Sequence, residues 1–214
     1  MRISRLKPAL WIAGLAPFAW LTWQAFYGDL TADPVKYITH ITGRVTVGIL
    51  VLTLSITPLR RLTGFNQLVK VRRLVGLFAF FYAVVHLGIY LVFDRGFVFT
   101  ELGEDIVKRP FITVGFTVWL ILLSLAVTSP QRVLRWMGGK RWAALHRLIY
   151  LAAVLAVVHF AWSQKKDLRP IVPFAVAVGA VLTARAGLAV SDRRRAAAGR
   201  RLGPSLRSPV TGGP

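Results

Sequence analysis

Two of the four histidines in this 214-residue sequence lie inside long apolar segments, where an ionisable side chain is costly and is expected to be functional. His86 stands in the segment AVVHLGIY, and His159 stands in AVVHFAW. If both segments are helices, the two imidazoles lie at a similar depth. Two neutral imidazoles that face each other among apolar side chains are typical of bis-histidine ligation of a b-type haem. The alternative is that each histidine is hydrogen-bonded to a carbonyl or hydroxyl group of a neighbouring helix.

A third histidine, His146, precedes His159 by 13 residues, which is roughly 20 Å along a helix and about 140° around it. His146 could bind a second haem, but no histidine stands at the same end of the His86 segment. Arg72 and Arg73 stand there, 14 and 13 residues before His86. They could ligate iron, pair with haem propionates, or only anchor the chain at the membrane surface.

The fourth histidine, His40, begins an apolar segment and is followed four residues later by Arg44. Side chains four residues apart share one face of a helix. Together they could bind haem propionates, a quinone headgroup or the surface of a partner protein. A simple anchor at the membrane interface is the alternative.

Six apolar segments must position these side chains. Mean hydropathy is +0.57, and only 17% of the residues are charged, against about 25% in soluble domains. The segments are residues 9–27, 38–57, 74–93, 111–128, 146–162 and 170–190. Each is long enough to cross a hydrocarbon core of about 30 Å as a helix. The sequence therefore predicts an all-α, polytopic membrane bundle of six transmembrane helices.

The charged residues predict how this bundle is oriented. The formal net charge is +20, and 20 of the 28 lysines and arginines fall on one side of the predicted membrane, whereas seven of the eight acidic residues fall on the other. The basic side is expected to be cytoplasmic; we call it the inner side and the opposite one the outer side. Both termini are then cytoplasmic. The predicted six-helix domain is 1–192, and residues 193–214 form a basic, disordered cytoplasmic tail that anchors to anionic lipid.

The absence of several motifs excludes some classes of function. The sequence contains no cysteine, which excludes iron–sulfur clusters and covalent c-type haem. No P-loop, G-x-G-x-x-G or G-x-S-x-G motif is present, and the placement of the basic residues indicates membrane lipid rather than nucleic acid. A transmembrane electron conduit is the leading hypothesis. A proton-coupled transporter that uses the histidines as a relay, and a purely structural anchor, are the alternatives.

Several short motifs, in collinear order between about residues 36 and 165, resemble one known family. They are HITGR at 40–44, TPLRR at 57–61, RRLVG at 72–76, the His86 segment, KRPF at 108–111, LHRLIY at 145–150 and HFAW at 159–162. These motifs are similar to those of the MsrQ (YedZ) family, in the ferric-reductase-like transmembrane superfamily. Its members are haem-binding membrane subunits of a periplasmic protein-methionine-sulfoxide reductase system.

The resemblance implies a function in the bacterial inner membrane. It implies one or two b-type haems with His86, His146 and His159 as ligands, and FMN as a further cofactor. Quinol or a cytoplasmic flavin reductase would donate electrons, and a periplasmic, molybdenum-containing methionine sulfoxide reductase subunit would accept them. We further expect this subunit to dock on acidic residues of the outer connection: Asp94, Glu101, Glu104 and Asp105.

Overall fold

The computed structural model of the chain describes residues 6–28, 30–94, 96, 98–164 and 167–202. Within these residues the chain is helical and has no β-strand. A π-helical turn, Tyr90–Asp94, continues the third helix, and a 3-10 turn, Arg169–Ile171, leads into the last one. The α-helices are α1 (Leu6–Tyr27), α2 (Pro34–Thr63), α3 (Leu68–Ile89), α4 (Phe99–Lys108), α5 (Pro110–Val127), α6 (Gln131–Met137), α7 (Gly139–His146), α8 (Leu148–Ser163) and α9 (Val172–Leu202).

Six segments of the described chain are long and apolar enough to cross a membrane. They are Lys7–Tyr27, Pro34–Thr63, Leu68–Asp94, Pro110–Val127, Gly139–Ser163 and Arg169–Ala198. This confirms the predicted all-α bundle of six transmembrane helices. The cytoplasmic location of both termini stays a prediction from the charge distribution.

The core of the bundle lies between α2, α3, α5 and α8. Helix α2 packs against α3, α8 and α9, and α5 packs against α3 and α8. Small residues on α3 and α8 let α2 and α5 approach these helices closely, as is common between membrane helices. The buried residues that form this core are Val47, Leu50, Leu54, Ala79, Ala83, Val118, Leu122, Leu125, Ile149, Ala152, Ala153, Ala156 and Val178.

Helix α2 extends beyond its apolar segment at both ends because local signals set its limits. The Asp33 side chain accepts a hydrogen bond of 3.1 Å from the Lys36 backbone N–H, and Pro34 occupies the first helical turn. At the inner end, Gly64 adopts a left-handed conformation with φ of 70°. Glycine does so without steric cost and thereby ends the helix.

Helix α1 is attached to α3 through the hydroxyl group of Tyr82. Pro17 lies inside α1, and the hydroxyl of Tyr82 bridges the neighbouring backbone groups. It accepts from the Phe18 N–H at 3.0 Å and donates to the Gly14 carbonyl at 2.7 Å. Since these two groups would otherwise bond each other within α1, Tyr82 holds the helix where proline disturbs it.

Three local features add to the sequence prediction or differ from it. The connections at 94–110 and 129–145 contain the short helices α4, α6 and α7. His146 ends α7 rather than beginning a continuous helix with His159, because the Arg147 N–H bonds the Ala144 carbonyl three residues back. The angle of about 140° holds only for one continuous helix, so it does not apply to His146 and His159, which lie on α7 and α8.

The third difference is at the end of the chain. Helix α9 continues to Leu202, so residues 193–202, which were predicted to be disordered, are helical. Repeated alanine and arginine are good helix formers, which explains the extension. The rest of the predicted tail, 203–214, lies outside the described residues.

Candidate functional site

His86 of α3 and His159 of α8 face each other within the bundle. Their ring centroids are 6.1 Å apart, and the ring planes are nearly perpendicular at 87°. Helix α8 reaches the outer side with His159 in its last turns, whereas α3 presents His86 just before its π-helical end. The two segments singled out in the sequence therefore do place their imidazoles together.

Each of these imidazoles is held through Nδ1 by a backbone carbonyl of another helix. His159 Nδ1 lies 2.7 Å from the Phe111 carbonyl oxygen, and His86 Nδ1 lies 3.0 Å from that of Thr39. The Thr42 hydroxyl oxygen is 3.2 Å from the same nitrogen of His86. A carbonyl can only accept, so we assign the ring proton to Nδ1. The Nε2 lone pair is then available, as in histidines that ligate metals.

A cavity of about 390 Å³ opens beside the two imidazoles. Its volume is in the range typical of ligand sites, and apolar side chains from α2, α3, α5 and α8 form most of its wall. Such a wall excludes water and can solvate a flat apolar macrocycle. The apolar wall residues are Val47, Ala83, Leu87, Phe111, Ile112, Phe116, Val118, Ala156 and Phe160.

Two glycines leave room for the histidine rings. A Cβ atom at Gly115 would lie 2.6 Å from Cε1 of His159, closer than such atoms approach in proteins. A Cβ at Gly43 would lie 3.2 Å from Cε1 of His86. Any larger residue at 115 would push the His159 ring out of its position. Gly43 belongs to a motif noted in the sequence, but Gly115 was not identified there; a glycine inside an apolar helix was the available signal.

Two buried nitrogen atoms in the cavity wall lack a hydrogen-bond acceptor among the described residues. They are Nε of Arg44 and Nε1 of Trp119. A buried donor without an acceptor costs about 1–3 kcal/mol. The two carboxylates of a haem would provide acceptors beside the two available imidazole nitrogens. The residues present therefore fit a b-type haem, and Trp119 is a cavity residue that was not identified in the sequence.

His40 lies on the same cavity as Arg44, as their spacing predicted. Its Nδ1 is 3.5 Å from the side-chain nitrogen of Gln164, and Lys36 and Arg109 line the cavity nearby. The outer end of the cavity is thus polar, with three basic residues (Lys36, Arg44 and Arg109) and two acidic ones (Asp33 and Asp94), whereas the part beside the imidazoles is apolar. That arrangement suits a ligand with an apolar body and an anionic edge.

The inner histidine, His146, has different surroundings. Its ring stacks on Trp142, with centroids 3.8 Å apart, and its Nε2 is 3.1 Å from the Thr128 hydroxyl oxygen. The Trp142 indole N–H donates to the Thr128 carbonyl at 2.9 Å, which completes the cluster. His146 does not line the cavity that holds His86 and His159.

The two arginines at the start of α3 occupy different positions. Arg72 is half-buried and lies close enough to act electrostatically on His146, whereas Arg73 is exposed. The structure therefore brings Arg72 toward the inner histidine and leaves Arg73 at the surface. Among the described residues, no three or more histidine, aspartate or glutamate side chains form a group that could hold a bare metal ion.

The expected acidic docking surface on the outer side is only partly present. Asp105 is buried, accepts a hydrogen bond from the Tyr90 hydroxyl and pairs with Arg109 Nε at 3.0 Å. It therefore stabilises the outer connection and does not offer its charge to a partner. Glu104 is exposed but pairs with Lys108 at 2.6 Å. The side chain of Glu101 lies outside the described residues.

Comparison with known proteins places the chain in a family. The model of the family described as "Ferric reductase like transmembrane component" matches residues 42–157, which include His86 and His146 and end two residues before His159. A protein of Xanthomonas campestris pv. campestris (strain 8004) is 47% identical over 198 residues, covering 89% of this chain and 90% of the relative.

Two further relatives cover even more of the chain. A protein of Xanthomonas oryzae pv. oryzae (strain MAFF 311018) is 45% identical over 210 residues, which are 95% of this chain and 94% of the relative. A protein of Bordetella pertussis (strain Tohama I) is 44% identical over 200 residues, which are 92% and 95% respectively. All three relatives are named "Protein-methionine-sulfoxide reductase heme-binding subunit MsrQ". With this identity over nearly the whole chain, and with the family model matching residues 42–157, the chain belongs to the MsrQ family within the ferric-reductase-like transmembrane proteins.

Proposed function

We propose that the chain is a b-type haem membrane subunit that conducts electrons across the bacterial inner membrane. The observation that carries this proposal is the pair of imidazoles, His86 and His159, whose Nδ1 atoms are bound to backbone carbonyls. Both rings are thereby oriented with Nε2 available beside an apolar cavity. When bound, a haem supplies reversible one-electron chemistry.

The chain's own residues would hold this group by separable contacts. His86 and His159 would bind the iron through Nε2. Arg44 and Trp119 would donate hydrogen bonds to a carboxylate, because both have a buried nitrogen on the cavity. His40 would add a polar contact at the outer end. The apolar walls would exclude water, and the backbone carbonyls would prevent the rings from turning.

A second haem would use His146 on the inner side, with Arg72 as the nearby cation and Arg73 at the surface. The support is positional, since Arg72 is half-buried and acts on His146 while Arg73 is exposed. We propose that electrons enter at this side, from quinol or a cytoplasmic flavin reductase. FMN is proposed from the family resemblance alone and is assigned to no residue.

The acceptor would be a periplasmic, molybdenum-containing methionine sulfoxide reductase subunit that repairs oxidised proteins. The support is the name of the relatives, which describes each as the heme-binding subunit of a protein-methionine-sulfoxide reductase. A subunit so named requires a partner that carries the catalytic site.

A redox spectrum of the purified full-length protein tests the haem proposal. We expect a Soret band and a reducible α-band, and His86→Ala or His159→Ala should each remove most of the same low-spin signal. Val84→Ala and Val154→Ala alter exposed positions of the same two helices and serve as matched controls. Folded but colourless wild-type protein, or a normal bis-histidine spectrum in either histidine variant, would refute the assignment.

A further inference from the structure

Arg185 of α9 is a cation inside a membrane-spanning segment, Arg169–Ala198. Its Nη1 donates to the Tyr150 hydroxyl at 2.8 Å, and its Nη2 donates to the Thr57 hydroxyl. The guanidinium carbon lies 5.1 Å from the centroid of the Tyr150 ring. These contacts orient the guanidinium group, but neutral hydroxyls do not neutralise its charge. An ionisable group in a membrane span is costly and generally has a functional partner.

No carboxylate of the described chain provides that partner. Asp192 is the acidic residue of α9, seven residues or roughly 10 Å along the helix from Arg185. Its two carboxylate oxygens are bound by Arg61 at 2.8 Å and 2.5 Å. Among the described residues, Arg185 takes part in no ion pair. Its charge therefore has no counterion in the part of the chain that the structure describes.

A second cation, Arg72, lies at the same level. Helices α2 and α3 lie close together at Thr53 and Gly76. A Cβ atom added at Gly76 would lie 3.6 Å from Cγ2 of Thr53. One turn further toward the inner end, α2 carries Thr57, which binds Arg185, and α3 carries Arg72. Arg72 also lies close enough to act electrostatically on both Arg185 and His146. Two cations, Arg72 of α3 and Arg185 of α9, thus lie at the inner end of the bundle.

We infer that Arg185 and Arg72 form an anion-binding site for a phosphate or carboxylate group at the inner end of the bundle. Two arginines that approach each other repel unless an anion lies between them, and a guanidinium group binds such oxygens through two N–H groups. Tyr150 and Thr57 preorganise one of the two arginines. The anionic oxygens belong either to the phosphate of a phospholipid of the inner leaflet or to a carboxylate of a second haem at His146; the latter source rests on the proposed function.

The test compares Arg185→Gln with Arg193→Gln, which removes an exposed arginine from the same helix. The full-length proteins are placed in nanodiscs of phosphatidylcholine and phosphatidylglycerol. Native mass spectrometry then counts retained phosphatidylglycerol, and the haem content per chain is measured in the same samples. We expect Arg185→Gln to retain phosphatidylglycerol or a second haem about tenfold less well, since it loses a charge-assisted contact. Loss of the lipid identifies the phosphate source, and loss of the haem identifies the carboxylate source.

Arg185→Gln leaves the hydroxyls of Tyr150 and Thr57 without their donor and could misfold for that reason. A second variant therefore tests the same site without this change. Arg72→Gln removes a side chain that makes no hydrogen bond within the described residues, and Lys70→Gln, at an exposed position of α3, is its control. If Arg185→Gln and Arg72→Gln both retain lipid and haem as the controls do, the anion site is refuted. The low-spin signal of His86 and His159 in these samples reports the proposed function separately, because lipid retention remains measurable without haem.

Discussion

At the outer end of the bundle, two imidazoles face each other at 6.1 Å and are oriented by backbone carbonyls of neighbouring helices. At the inner end, the single imidazole of His146 stacks on Trp142 and contacts the hydroxyl of Thr128. Backbone carbonyls cannot rotate away, whereas a threonine hydroxyl and an indole ring can change rotamer. The outer pair is therefore the more rigid of the two sites.

The two ends also differ in charge. The cavity wall beside the outer pair is apolar, and the charged residues lie at the outer end of the cavity, so that neutral nitrogen ligands and apolar contacts would dominate binding next to the imidazoles. The inner histidine lies near Arg72, which in turn acts on Arg185. A ligand there would be held mainly by charge, and its retention should depend on salt more strongly than at the outer end.

The largest expected effect is on the outer site. Gly115→Val should lower haem content about tenfold or more, because even a Cβ at that position would lie 2.6 Å from the His159 ring. Gly43→Ala should have a smaller effect, since its Cβ would lie 3.2 Å from the His86 ring. Haem content per folded chain is the measurement. Gly88→Ala, with no atom within 4 Å of its added Cβ, is the matched control; an unchanged spectrum in Gly115→Val would show that the ring position does not matter.

The second prediction concerns the rate of haem reduction, which should distinguish the inner histidine from the outer pair. His146→Ala should slow haem reduction by a donor added on the inner side, because His146 lies toward that side and off the outer cavity. It should leave the low-spin signal of the outer pair in place. Stopped-flow reduction of wild type and variant in oriented vesicles measures both. Loss of the outer signal in His146→Ala would contradict the separation of the two sites.

A moderate effect on stability is expected at the outer connection. Asp105→Asn should lower the free energy of unfolding by about 1–3 kcal/mol, because the buried carboxylate accepts from Tyr90 and pairs with Arg109. Glu104→Gln breaks an exposed i,i+4 pair and should cost about 0.5 kcal/mol or less. Thermal unfolding in detergent compares the two. Equal stability of both variants would return Asp105 to the predicted docking surface.

The smallest effect tests which contact orients His86. Thr42→Val removes a hydroxyl 3.2 Å from Nδ1 but leaves the Thr39 carbonyl at 3.0 Å. Haem affinity should fall about threefold or less, because the backbone acceptor remains. A haem titration measures the affinity, with Thr53→Val, whose hydroxyl bonds only within α2, as the control. Complete loss of haem in Thr42→Val would show that the hydroxyl, not the carbonyl, orients the ring.

The helices and the depth of the histidines could be predicted without tertiary structure. Apolar segments of about 20 residues reveal spans directly, and the rise per residue converts position into depth. The predicted helix limits were wrong at two places where local backbone hydrogen bonds determine where a helix ends. The tight turn at Arg147 separates His146 from α8, and the alanine-rich end of α9 continues to Leu202. Hydropathy detects neither feature, since both depend on backbone hydrogen bonds.

The contacts between helices could not be predicted from the sequence. In the sequence, Asp105 is one of several charged residues in a polar connection, so it was predicted to be exposed. Only the packing of the helices shows that Asp105 is buried and paired with Arg109. Gly115 and Trp119 contribute to the cavity through their approach to other helices. A single sequence does not record which faces of two helices meet.

The sequence by itself determined that six apolar helices cross a membrane and that two of them carry a histidine at matching depth, because both properties follow from composition and spacing along one axis. The tertiary structure decided which ring nitrogen is available, which glycines admit the rings, and that Arg185 is bound by Tyr150 and Thr57 of two other helices. Those properties depend on the rotation of each helix about its axis, which is set by side-chain packing between segments far apart in the chain.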